Sequence, residues 1–175
     1  MNYSPSTIAR IADIKSGIQV ETGILLGATY FNHAGGAASQ HELFTVKGRI
    51  ILLSLFHEVI TTDFGANAAQ VAWNATFSST AYTVQPIGTK CSSVSGLKIG
   101  HRVVWGGGIL STAATVTTKP YLSDFAAVTP MIIGGRDSVG TIGMLGSDAT
   151  LATGSFFCSL RYVPDSDGAY IEALV

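Results

Sequence analysis

The sequence predicts an all-β fold: an antiparallel β-sandwich or jelly-roll-like barrel with a short N-terminal arm or helix. Three observations carry this. Val, Ile, Thr, Phe and Tyr recur in short runs, the texture of pleated, half-buried strands. Gly and small polar residues separate those runs at short intervals, as in sandwiches and barrels. Residues 70–77 also alternate, with Val71, Trp73, Ala75 and Phe77 on one face and Gln70, Ala72, Asn74 and Thr76 on the other.

The elements follow in chain order. Residues 1–20 differ from the rest. Ser4-Pro5 has the form of a helix N-cap followed by proline at the first helical position. Ile8, Ile11 and Ala12 have helical spacing, and Gly17 suits the end. A helix this short needs a surface to pack on, and an extended arm is the alternative. A single β domain is expected over 21–175. Its first strand is expected over Ile24 to Phe31, followed by a loop over Asn32 to Gln40. Leu43 to Val46, Lys47-Gly48 and Arg49 to Thr61 read as a hairpin. Further strands are expected at Ala81 to Val84, Leu97 to Trp105 and Ala113 to Thr118. Others fall at Met131 to Ile133, Ser155 to Val163 and Tyr170 to Val175. Gly106 to Gly108, Gly134-Gly135 and Pro164 to Gly168 read as turns.

The 175 residues suffice for one domain with its own core. Only 12% are charged, about half of the ~25% usual for soluble domains, while 47% are hydrophobic and mean hydropathy is +0.39. So few charges point to a surface partly buried against partners. The net charge is −1, and the nearest approach to a basic cluster is Lys98, His101 and Arg102, so nucleic acid is not an expected partner. No apolar run reaches the ~18 residues of a membrane span. Arg10, Asp13 and Lys15 stand where a signal peptide needs an apolar segment, so synthesis in the cytoplasm is expected. Cys91 and Cys158 are then expected to be buried free thiols.

No catalytic, metal or cofactor site is expected. His41-Glu42 and His57-Glu58 put neighbouring side chains on opposite faces of a strand, so neither pair grips one ion, and ordinary loop or surface histidines are expected. Gly140, Gly143 and Gly146 lack the spacing of a dinucleotide loop and read as a flexible connection between strands. Serines are abundant, but no Gly-x-Ser-x-Gly elbow is present. Asp165, Asp167 and Gly168 open like a calcium loop without its closing Glu, and read as a β-turn. Trp73 and Trp105 suit a core, with a sugar-binding face as the alternative. The residues expected at a partner interface are Tyr3, Ile8, Ile11, Ile14 and Ile18, too many apolar groups for a solvated tail.

The hairpin segment Leu43-Phe44-Thr45-Val46-Lys47-Gly48-Arg49-Ile50 and the ending Phe157-Cys158-Ser159-Leu160-Arg161-Tyr162-Val163-Pro164-Asp165-Ser166-Asp167-Gly168-Ala169 resemble a pair of segments in small β-rich virion proteins of tailed bacteriophages. The resemblance covers residues 40–62 and 155–175, and the middle of the chain matches in texture only. It implies a head-decoration (cement) protein or another structural virion component, with no catalytic residues. A homo-oligomer, a trimer, on the capsid surface is then expected, with the major capsid protein as partner. The alternative expectation is a carbohydrate- or receptor-binding module of a tail or fibre, motivated by the two tryptophans and the tyrosines.

Overall fold

The computed structural model describes residues 17–30, 39–65, 70–77, 85–88, 91, 93–105, 115–117, 130–147 and 153–175. Two antiparallel sheets pack face to face as an all-β sandwich. One sheet has the path β1 (Ile18–Glu21), β11 (Ser155–Pro164), β4 (Ile50–Val59), β7 (Arg102–Val104) and β8 (Thr115–Thr117). In that sheet, β2 (Leu25–Leu26) also pairs with β11, and β9 (Met131–Ile133) with β4. The other sheet runs β12 (Tyr170–Ala173), β3 (Ser39–Lys47), β10 (Val139–Ser147), β5 (Gln70–Phe77) and β6 (Gln85–Ile87). A single helical turn, α1 (Gly27–Tyr30), follows β2.

Strand alternation fills the space between the sheets. Ile50, Leu52, Leu55 and Val59 of β4 join Phe156, Leu160 and Tyr162 of β11 on one side. Phe44 and Val46 of β3, Ile142 and Met144 of β10, and Val71, Trp73 and Ala75 of β5 meet them from the other. Tyr162 also ties the layers by a polar contact, since its hydroxyl accepts the N–H of Ile171 at 3.0 Å. The expected alternation of β5 is present, and Val71, Trp73, Ala75 and Phe77 are buried. Its second face is partly covered too, because Ala72 and Asn74 are also buried. Both cysteines are free and buried. Cys91 is fixed to β5, where Val71 N–H donates to its Sγ at 3.1 Å and its own N–H donates to the Val71 carbonyl at 2.8 Å.

Four expectations need correction. Ile24 to Phe31 is not one strand: β2 spans two residues and the chain then turns into α1. Gly27 sits tightly at that point, its N–H bonded to the Gly154 carbonyl at 2.9 Å. The segment around Lys47-Gly48 is not a hairpin. β3 and β4 belong to opposite sheets, so the turn is a corner across the sandwich. Gly48 has φ of 75°, and a Cβ there would lie 2.8 Å from both Ala169 Cβ and Ser166 Oγ. Only the end of the Leu97 to Trp105 segment is strand, as β7, because turns occupy Ser95 to Gly100. The glycine-rich stretch at 140–146 is no loose connection but the centre of β10, bonded on both sides to β3 and β5.

The glycines of β10 are explained by their neighbours. A Cβ on Gly140 would meet the Thr76 carbonyl at 2.2 Å and the Phe77 ring at 2.3 Å. The aromatic ring takes the place a side chain would occupy, covering a glycine that otherwise weakens a strand. Gly140→Ala should therefore cost about 1–3 kcal/mol, the usual penalty for overpacking a tight site. Urea melts check this, and an unchanged midpoint would show that the strand accommodates the methyl group. The expected strands at Ala81 to Val84 and most of Ala113 to Thr118 lie outside the described residues, apart from β8.

Candidate functional site

Of the residues expected at a partner interface, Tyr3, Ile8, Ile11 and Ile14 lie outside the described residues. Ile18 opens β1 and is 47% exposed. It belongs to a larger apolar edge. Nine large apolar residues are exposed among the described ones, and five fall here: Ile18, Ile24 at 63%, Leu26 at 58%, Leu174 at 47% and Val175 at 48%. They are spread along this side, with Ile18 opposite Tyr162 and Leu26 opposite Ser155 near the two ends of β11. Gly23 N–H donates to the Val175 carbonyl at 2.8 Å, which sets Ile24 beside the C-terminal pair, and Leu174 N–H donates to the Leu43 carbonyl at 2.9 Å.

The same edge carries open main chain. β1 ends one sheet path and β12 ends the other, and the two strands lie side by side. Among the described residues β1 has no strand beyond it, while on the β12 side the Ile171 N–H is taken by the Tyr162 hydroxyl and the Val175 carbonyl by the Gly23 N–H. Apolar side chains next to a free strand edge form a surface that a further polypeptide can cover, by side-chain burial and by strand pairing.

The histidines divide by environment. His57 is not a surface histidine as expected: it is fully buried on the inner face of β4. The rings of Phe156, Trp73 and Phe64 lie at 5.3, 5.8 and 6.3 Å. Neither ring nitrogen has a hydrogen-bond partner among the described residues, and burial lowers its pKa to about 3. Glu58, its neighbour, points the other way and accepts from Arg102 at 2.5 Å, so the strand separates the pair as expected. His101 Nδ1 accepts the Lys98 N–H at 3.2 Å within a turn. Cys158 is the register partner of His57, and burial raises its thiol pKa, which opposes the thiolate needed of a nucleophile.

The acidic turn closes the sandwich corner. Asp165 pairs with Arg49, and Ser166 Oγ accepts the Arg49 N–H at 2.9 Å. Among the described residues no group of three or more His, Cys, Asp or Glu is placed to hold a metal ion, and no helix is long and apolar enough to cross a membrane. Trp73 and Trp105 are each 1% exposed, so neither offers a ring face to a sugar. Compared with protein-family models, curated proteins and solved structures, the chain matches none.

Proposed function

We propose that this chain is a structural virion protein of a tailed bacteriophage, a capsid decoration (cement) protein that stabilises the head through protein–protein contacts. In this reading it works as a homo-oligomer, a trimer, bound to the major capsid protein on the outer surface. The observation that carries the reading is the run of exposed apolar residues Ile18, Ile24, Leu26, Leu174 and Val175 along the side where β1 and β12 end their sheets. A chain with 12% charged residues has little else to keep such an edge from associating. The two segments that resemble phage virion proteins also form one unit of the fold. β4 pairs with β11, β3 pairs with β12, and Arg49 reaches Asp165 across them. The interface is proposed to extend over Tyr3, Ile8, Ile11 and Ile14.

Two experiments test the reading. A cryo-EM reconstruction of the particle produced with this chain should show the sandwich on the outside of the head, with β1 and β12 at the contact. Density in a tail fibre, or none on the particle, contradicts it. The double variant Ile24→Asp, Leu26→Asp should stay folded, because both side chains are exposed, and should self-associate at least tenfold more weakly in sedimentation velocity. Unchanged association would place the interface elsewhere.

A further inference from the structure

The outer face of the sheet carries an apolar row across β11, β4 and β9. Val163, Ile51 and Ile132 are lateral neighbours by register, one from each strand. Strand parity turns them outward, because Tyr162, Ile50, Leu52 and Ile133 beside them belong to the core. Leu53 adds to the row. The register shifts between Arg161 and Tyr162, which face Ser54 and Leu52, so Leu53 is the extra residue of a bulge in β4. Ile132 is 64% exposed, and Ile51 and Leu53 are half-buried. A contiguous apolar patch on an outer sheet face marks a surface that a partner covers.

The path of the chain shows what arrives there. Gly17 precedes β1, yet it lies over the outer face. A Cβ added to it would stand 2.6 Å from Arg161 Cγ on β11 and 2.8 Å from Leu53 Cδ1 on β4. Its φ of 60° is the left-handed conformation that commonly ends a helix. Residues 4–16 lead into it and place Ile8, Ile11 and Ile14 on one side at helical spacing, with Arg10 and Asp13 away from that side. A helix over 4–16 would be about 20 Å long, enough to cross three strands at their ~4.8 Å spacing. So short a helix is marginal alone and needs an apolar surface.

We propose that residues 4–16 of one copy lie as an amphipathic helix on the β11–β4–β9 outer face of a neighbouring copy, with Ile8, Ile11 and Ile14 against Ile51, Leu53 and Ile132 and with Gly17 as the hinge. The proposal rests on the assembly reading above and names the surface that the N-terminal arm meets. A closed trimer needs an interface between two different surfaces, since a patch that meets its own copy closes a dimer. An arm on one copy and a sheet face on the next are such a pair. Exchange makes between copies the contacts that an arm could make on its own chain, so it costs little and ties each copy to the next. Ile132 stays 64% exposed in the single chain, which favours a neighbour's arm over the chain's own.

Photo-cross-linking of the full chain, with p-benzoylphenylalanine in place of Ile11, tests the proposal. Irradiation should give species of two and three chains on a denaturing gel. Peptide mapping should place the attachment at residues 50–53, 131–133 or 161–163 of the second chain. Ile132→Asp should cut that yield at least fivefold with an unchanged far-UV spectrum, because the side chain it replaces is exposed. Sedimentation of the same sample separates two failures. A monomeric chain sinks the assembly reading and the exchange with it. An oligomer whose cross-links are absent, stay within one chain or join chains at other segments overturns the exchange alone. So does an Ile132→Asp variant that cross-links like the parent.

Discussion

Trp73→Ala should lower the unfolding free energy by about 3–5 kcal/mol, the range for emptying a large aromatic site in a packed core. The ring is 1% exposed and sits at the middle of β5, between Met144 on β10 and Ile87 on β6 in register. It also faces His57 across the two sheets. Trp73→Phe should cost much less, because the indole Nε1 has no hydrogen-bond partner among the described residues to lose. Urea melts of the three proteins under one condition measure both effects. A loss below about 1 kcal/mol for Trp73→Ala would place the ring outside the core, since full burial cannot be that cheap. It would also revive the tryptophans as a ligand-facing surface.

The second large effect is a loss of stability in mild acid, traced to His57. Its pKa falls from 6.5 in an ordinary environment to about 3 in the fold, because burial disfavours the charged ring. Between those two values the unfolded chain holds a proton that the folded chain does not. Stability from this residue is therefore fully present above pH 6.5, and it declines as pH falls toward 3. The slope approaches about 1.4 kcal/mol per pH unit, so about 2–3 kcal/mol is lost by pH 4.5. His57→Leu keeps the site filled and removes the titration. The variant should match or exceed the parent at pH 7.5, because an unpaired polar ring leaves the core. Its advantage should then widen as pH falls. Parallel stability–pH curves for the two proteins would show that His57 is not the cause.

The sequence announced the strands that obey simple alternation and hid those that do not. β5 was legible because its apolar face and its polar face differ at nearly every position. β10 was not, because Gly140 and Gly143 have no side chains to alternate, and their packing partners Phe77 and His41 lie far away in the chain. The Lys47-Gly48-Arg49 turn was visible, but a glycine with positive φ serves a hairpin and a corner between sheets equally well. What separates them is whether β4 finds β11 or β3, and that pairing is long-range. Residue type argues for His57 at the surface, while strand parity with Leu55 and Val59 puts it inside.

The candidate sites follow the same logic. The apolar edge is legible at Ile18 alone, because in sequence Ile24 and Leu26 read as part of one strand. Ile24 comes beside Leu174 and Val175 through the bond between Gly23 and Val175.

The apolar edge is proposed as the interface through which the chain assembles. Sedimentation equilibrium of the purified full chain at micromolar concentration tests it most directly. A homotrimer should appear as a single species of three times the 18.2 kDa chain mass, and the double variant at Ile24 and Leu26 should shift it toward the monomer. A parent chain that stays at 18.2 kDa across the concentration range, with no partner present, would contradict the claim.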